Sequence, residues 1–294
     1  MQKENFGKIC ASLRNDIFNI SAGRRWSQQD LSQSTGLSVK IIGQIERGEK
    51  VNLHGQLLTQ FAQAFNLTTA ERRRFFSLAN DVNNEEMART NLSIPTVLRS
   101  TLSEAGKIKQ PILLHDGLYR IICLNTAYMQ VYGLTYDYLD GISDSDPTKY
   151  HIVRHIHDER SPVRHVYKSQ IEKVELNNAV YWRFLSIAHR HDPLFVEIQE
   201  KLLQAYPRFA HLWNSLNHKF ENEDAPSLLR NFLCTHPDFG KLNYLIVSTQ
   251  LYSGARELFM TQLSPTDLQT FSKFNELIED RNFKFIYFDS FMNQ

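Results

Sequence analysis

The segment SQQDLSQSTGLSVKIIGQIERG, residues 27–48, constrains this chain more than any other. Ser27 and Ser38 each precede a short run with helical spacing. A serine oxygen there accepts from the free amides of a first helical turn. Gly36 and Gly48 close the two runs, and glycine tolerates the left-handed backbone that ends a helix. Leu31, Leu37, Ile42 and Ile45 share one side, so the spacing predicts two short helices crossing over an apolar seam. The second helix then presents Ser38, Val39, Lys40, Gly43 and Gln44 outward, with Arg47 at its end.

A helix start exposed in this way suits insertion into a DNA major groove. Gln pairs two-point with adenine, Lys donates to guanine, and Val meets a thymine methyl. The first helix's N-terminal amides, with Ser27 and Gln28 beside them, suit a phosphate. Arg24 and Arg25 fit either backbone clamps or a solvated loop, and Arg72–Arg73–Arg74 reads as a solvated helix face. Charge points the same way. The chain as a whole is nearly neutral at +1, yet residues 1–80 hold eleven Lys/Arg against six Asp/Glu. Only this basic part is suited to a polyanion.

Three further helices surround the pair. Phe6, Ile9, Leu13, Ile17 and Ile20 recur at helical spacing until SAGRRW breaks the pattern. Asn52 stands where it can cap a helix carrying Leu57, Phe61 and Phe65. Thr68 or Thr69 opens a fifth helix, with Glu71 in its positively polarised first turn. The expectation is an all-α, five-helix domain over residues 1–82.

Beyond it the texture changes. Residues 83–104 read as a polar linker and a short helix. PILLHD and LYRIICLN are strand-like runs joined by Asp116–Gly117, and TAYMQVYG is a short helix. Residues 137–149 read as a loop, and 150–187 and 192–219 as long helices. KLNYLIVSTQLY and ARELFMTQLS form a second strand pair around Ser253–Gly254. The expectation for 105–263 is an α+β domain, an antiparallel sheet covered on one face by helices. Residues 264–294 read as a C-terminal extension with a helix and a strand-like FKFIYF run.

Other function classes lack support. The three cysteines are far apart and no CxxC occurs, which fits a reducing cytoplasm. The N-terminus MQKENFGKIC has no apolar signal region, so secretion is not expected, and no apolar run is long enough to span a membrane. His151 and His155 stand four apart, with His157, Asp158 and the HRHD cluster (189–192) nearby, a spacing that metal sites use. No HExxH and no third ligand at a defined spacing accompany them. No GxGxxG, P-loop or GxSxG occurs either, so neither a metal nor an enzyme is expected.

Residues 4–80 resemble the Cro/repressor (XRE) helix-turn-helix family through Ser27, Gln28, Leu31, Gly36, Leu37, Ser38, Ile42, Ile45, Glu46 and Gly48. Ser32 stands where the family usually has Ala, and Gly43 where it often has Ser or a larger polar residue. Residues 4–263 resemble the MmyB-like family, in which an XRE domain precedes a PAS-like domain. The carriers are AERRRFFSLA (70–79), PILLHDGLYRIICLNTAYMQVYG (111–133), PRFAHLW (207–213) and THPDFGKLNY, with His236, Pro237, Gly240 and Leu242. The resemblance implies transcription regulation and a small apolar, fatty-acid-like ligand in the PAS cavity. Candidate lining residues are Tyr128, Met129, Tyr132, Trp182, Phe184, Phe209, Trp213, Tyr244 and Tyr252, each of which also suits plain core. Asn125, Arg183, Arg208 and His211 are candidate head-group anchors. The combined expectation is a cytoplasmic, homodimeric regulator of double-stranded DNA with no cofactor beyond such a ligand. The alternative is a protein-interaction module that neither reads DNA nor senses a ligand.

Overall fold

The computed structural model describes residues 2–49, 53–83, 110–219, 229–252 and 257–288. Asn52, residues 84–104 and the Ser253–Gly254 turn lie outside the described residues. The chain is a mixed α+β protein, helices followed by an antiparallel sheet region, and it forms two compact units.

The first unit comprises Met1–Arg89, Arg183–Glu200 and Ala210–Pro226. Its helices are α1 (Gln2–Asp16), α2 (Gln28–Thr35), α3 (Val39–Glu46), α4 (Gly55–Ala64) and α5 (Thr69–Asn83). A small hairpin, β1 (Phe18–Asn19) with β2 (Arg24–Arg25), fills the break after α1. The two serine caps form as expected: Ser27 accepts from the Asp30 amide and Ser38 from the Ile41 amide. Gly36 ends α2 at φ 72°, the left-handed region open to glycine. His54 caps α4, its Nδ1 accepting from the Leu57 amide. Thr68 and Glu71 exchange hydrogen bonds at the start of α5. Arg72 and Arg74, expected on a solvated face, instead donate to the Leu67 and Leu185 carbonyls, and Arg73 alone of the three is exposed.

Phe6, Ile9, Leu31, Ile42, Ile45, Phe61 and Phe75 are buried in one core with Ile187. Residues 183–200 and 210–226, expected within the 105–263 domain, therefore belong to the first unit. Two buried arginines reinforce this. Arg183 Nε donates to Glu71 at 2.6 Å, and Arg190 pairs with Asp16 while its guanidinium stacks 4.8 Å from the Trp213 ring. Gly7 marks where α1 meets the end of α3. A Cβ there would lie 2.5 Å from the Ile45 and Glu46 carbonyl oxygens.

The second unit comprises Thr90–Trp182, Lys201–Phe209 and Ser227–Gln294. Strands β3 (Ile112–Asp116) and β4 (Ile121–Asn125) lead into α6 (Thr126–Tyr132), α7 (Tyr136–Asp140), α8 (Ile152–His157), α9 (Val163–Val166) and α10 (Ile171–Ser186). After α11 (Pro193–Ala205) and α12 (Pro207–Lys219) come β5 (Leu229–His236), β6 (Gly240–Tyr252), β7 (Leu258–Pro265), α13 (Leu268–Glu279) and β8 (Phe285–Tyr287). The six long-sheet strands run β5-β6-β7-β3-β4-β8, all antiparallel. The extension 264–294 is thus part of this unit, because β8 adds an edge to the sheet beside β4.

Three local expectations change. The two long helices are five shorter ones. Pro193 and Pro207 open α11 and α12, at the first-turn position where the missing N–H is not needed. Residues 137–149 include part of α7. Strand β5 was not predicted. Within it Phe232, Cys234 and His236 are buried and alternate with exposed Asn231, Leu233 and Thr235. Among the described residues no helix is long and apolar enough to cross a membrane.

The glycines of the first unit give opposite expectations. Gly7→Ala must displace backbone carbonyls and should destabilise the protein by about 1–3 kcal/mol. Gly43→Ala meets the flexible Arg47 guanidinium at 3.0 Å and Gln28 Oε1 at an ordinary 3.6 Å, and should stabilise α3 by up to about 1 kcal/mol. Urea denaturation of both variants checks the contrast.

Candidate functional site

Two places in the molecule gather chemistry. The first is the outward edge of α2 and α3. Its geometry depends on Glu46, the last residue of α3. Arg14 of α1 donates to both carboxylate oxygens, at 2.7 and 3.0 Å, and Gln28 Nε2 donates at 2.7 Å. Arg14 also donates to the Trp26 carbonyl at 2.6 Å. The first residue of α2 is thereby fastened to the last residue of α3. At the other side of α2, Asp30 accepts from the Ser27 amide and hydroxyl and from Arg24. The Arg24 hydrogen bond, helped by Ser27, holds the Asp30 carboxyl well below the usual carboxylate range.

The expected reading edge is narrower than the sequence suggests. Ser38 and Lys40 are exposed, Val39 and Gln44 half-buried, and Ser27 is occupied by its cap and by Asp30. Gly43 is buried, because Arg47 folds back across it, so it does not belong to the outward edge. Arg47 itself is exposed and paired with Glu49 at 2.7 Å. Gln28 points its amide into Glu46 rather than outward. Arg24 is paired with Asp30, and Arg25 donates to the Asn15 carbonyl at 3.0 Å.

The second place is a cavity of about 60 Å³ in the second unit. Leu113 of β3, Phe232 of β5, Ile246 and Ser248 of β6 and Thr261 of β7 supply its sheet side. Tyr128 and Tyr132 of α6, Ile152 and Ile156 of α8, and Val174, Asn177, Asn178 and Tyr181 of α10 supply the helical side, with Tyr119 and Tyr167 from turns. None of these side chains carries a charge. Asn125 positions α6: its Oδ1 accepts from the Tyr128 and Ile112 amides, and its Nδ2 donates to the Gln110 carbonyl. His236 holds the other end of that helix, since its Nε2 meets the Gln130 carbonyl at 3.0 Å while Nδ1 accepts from the Asp238 and Phe239 amides.

Inside, most polar groups are paired with one another. Asn178 Nδ2 donates to the Tyr119 hydroxyl at 3.1 Å, Ser248 and Thr261 share a hydrogen bond at 3.0 Å, and Tyr167 meets Tyr244 at 3.0 Å. The Tyr132 hydroxyl and Asn178 Oδ1 are buried with no partner among the described residues. Burial pushes the Tyr128, Tyr132, Tyr167 and Tyr244 phenols up, which keeps them protonated.

Of the expected lining residues, only Tyr128 and Tyr132 line the cavity. Tyr244 stands behind Tyr167, and Trp182 behind Tyr119, whose ring it stacks at 6.3 Å. Met129 is plain core and Asn125 is a helix cap. Phe209 packs against His157. Trp213 and Phe184 are in the first unit, and the side chain of Tyr252 lies outside the described residues. The candidate anchors are elsewhere too: Arg183 pairs with Glu71, Arg208 with Glu175, and His211 is exposed. Tyr119, Tyr167, Tyr181, Asn177 and Asn178 were missed. The available signal was the Asn177–Asn178 pair, two poor helix formers directly before the apolar stretch AVYW (179–182).

The histidines form no metal centre: among the described residues no group of three His, Cys, Asp or Glu side chains is arranged to hold an ion. His151, His155 and His157 are buried on and beside α8, and His115 on β3. No protein-family model matches the chain, and no curated protein matches it.

Burial holds His115 down at about 4 and His155 and His157 at about 3. An unfolded histidine takes up its proton near pH 6.5, whereas these folded ones do not. The unfolded state therefore binds more protons between about pH 6.5 and pH 4, and stability falls as pH falls through that window. Each histidine should remove about 2 kcal/mol between pH 7 and pH 5. Urea midpoints across this range measure the loss, and His155→Gln should lessen it by about one histidine's share.

Proposed function

We propose that this chain is a non-enzymatic, cytoplasmic transcription regulator, with an XRE-type helix-turn-helix DNA reader in its first unit and a PAS-like, MmyB-like ligand domain in its second. The observation that carries this reading is the pair of serine-capped helices α2 and α3, clamped by Arg14, Gln28 and Glu46 and offering Ser38, Val39, Lys40 and Gln44 along one edge. Lys40 is exposed there with no acidic residue in its helix before Glu46. The antiparallel sheet with helices on its cavity side, and the uncharged cavity between them, support the ligand-domain half.

With Gly43 buried and Gln28 withdrawn, one edge carries few base-reading groups. Two edges held one helical turn of DNA apart, about 34–36 Å, give more discrimination, so the proposed reader acts as a homodimer. A cavity ligand then controls DNA binding only by preferring one dimer arrangement over another.

In a selection from random duplexes the full chain should enrich a two-fold symmetric site. Affinity should drop on the order of 10³-fold between about 50 and 200 mM salt if some six phosphates are neutralised. Lys40→Ala and Gln44→Ala should relax base preference more than they lower total affinity. Binding that is indifferent to sequence in the unmodified protein defeats base reading. The absence of any enriched duplex favours a protein-interaction role.

A further inference from the structure

The cavity of the second unit says more about its occupant than that it is apolar. Every described side chain lining it is uncharged: five tyrosines, two asparagines, a serine and a threonine among aliphatic residues and one phenylalanine. The candidate cationic anchors named from the sequence are engaged elsewhere, Arg183 with Glu71 and Arg208 with Glu175. An ionised carboxylate taken inside meets no positive side chain among the described lining residues, and removing an unpaired charge from water is strongly unfavourable. A fatty acid anion is therefore a poor fit.

Tyr132 and Asn178 have complementary needs. The Tyr132 hydroxyl, on a residue 5% exposed, is protonated and has a hydrogen to give. Asn178, 3% exposed, has spent one amide hydrogen on the Tyr119 hydroxyl and leaves Oδ1 ready to accept. A single hydroxyl, or a primary amide, both accepts and donates, and satisfies the pair. The cavity is also small. At about 60 Å³ it holds roughly four water-sized groups, well under the ~150 Å³ site that takes benzene in another protein.

We infer that the cavity binds a compact, uncharged molecule with one polar group that both donates and accepts, an alcohol or a primary amide on a short apolar body, gripped between Tyr132 and Asn178. This rests on the reading of the cavity as a ligand site and departs from the fatty-acid expectation.

The test uses the full chain and three probes of matched length: butan-1-ol, butanamide and butanoate, at pH 7.5, with binding followed by ligand-observed NMR and protein chemical shifts. Butan-1-ol and butanamide should bind at least tenfold more tightly than butanoate. Tyr132→Phe should lower butan-1-ol affinity severalfold without lowering the urea midpoint of the empty protein, since the hydroxyl it removes has no partner among the described residues. Asn178→Leu should lower affinity similarly and serves if Tyr132→Phe is uninformative about folding. Equal or tighter binding of butanoate overturns the uncharged class while leaving a ligand cavity in place. No binding by any of the three removes the ligand site itself. A lower midpoint in Tyr132→Phe, with no probe bound, assigns the hydroxyl to trapped water and overturns the proposal.

Discussion

The Glu46 carboxylate is the interaction on which the arrangement of the first unit depends. Its two oxygens take two N–H groups of Arg14 and one of Gln28, and Arg14 reaches on to the Trp26 carbonyl. The Arg14–Glu46 pair thus joins α1, the segment before α2, the start of α2 and the end of α3. The pair is largely buried, with Arg14 12% and Glu46 6% exposed. Removing one member of such a pair leaves a buried charge and costs about 3–5 kcal/mol. The same interaction explains why the outward edge is thin. Gln28 is used to fix the angle between α2 and α3, so the groups left to meet a partner sit on the start of α3. The proximity of α1 to the end of α3 is possible only because Gly7 has no side chain.

The second unit is organised by a different constraint, the central position of β3. It pairs with β4, its neighbour in sequence, and with β7, nearly 150 residues later. All the helical material from α6 to α12 is enclosed in that loop of chain. The cavity exists because the residues facing the sheet from α6, α8 and α10 include tyrosines and asparagines as well as aliphatic side chains. Large rings with polar tips cannot interdigitate as aliphatic groups do, and their oxygens need partners. Most are supplied in pairs, Tyr167 with Tyr244 and Asn178 with Tyr119. The remainder define what a guest would have to offer.

Much of the first unit was legible. Ser27, Ser38 and Gly36 are where the pattern put them, because caps act on atoms within a few residues. The apolar seam of Leu31, Ile42 and Ile45 is buried. The pattern erred at Gly43, which shares the outward side of α3 on a helical wheel but is covered by Arg47. In the second unit the hairpin around Asp116–Gly117 was readable, since Asp116 Oδ1 accepts from the Leu118 and Arg120 amides within its own turn. Strand β5 was not, because its exposed face mixes Asn231, Leu233 and Thr235. His236, which the sequence offers only as part of a signature, holds the end of β5 to α6.

The sequence by itself determined the local elements: where helices start and stop, which side of each is apolar, and that a helical part precedes one with antiparallel strands. Neighbours one to four residues apart decide those features. Only the tertiary structure decided which polar groups are spent and which remain. Arg14 meets Glu46 across 32 residues, Tyr167 meets Tyr244 across 77, and Arg190 meets Asp16 across 174. No periodicity encodes such pairings, because a charge or hydroxyl is satisfied by whatever atom the folded chain brings within about 3 Å. For the same reason the cavity walls were only partly foreseen. A tyrosine in the sequence is equally suited to core, to cavity wall or to supporting another ring, and its neighbours in space choose among them.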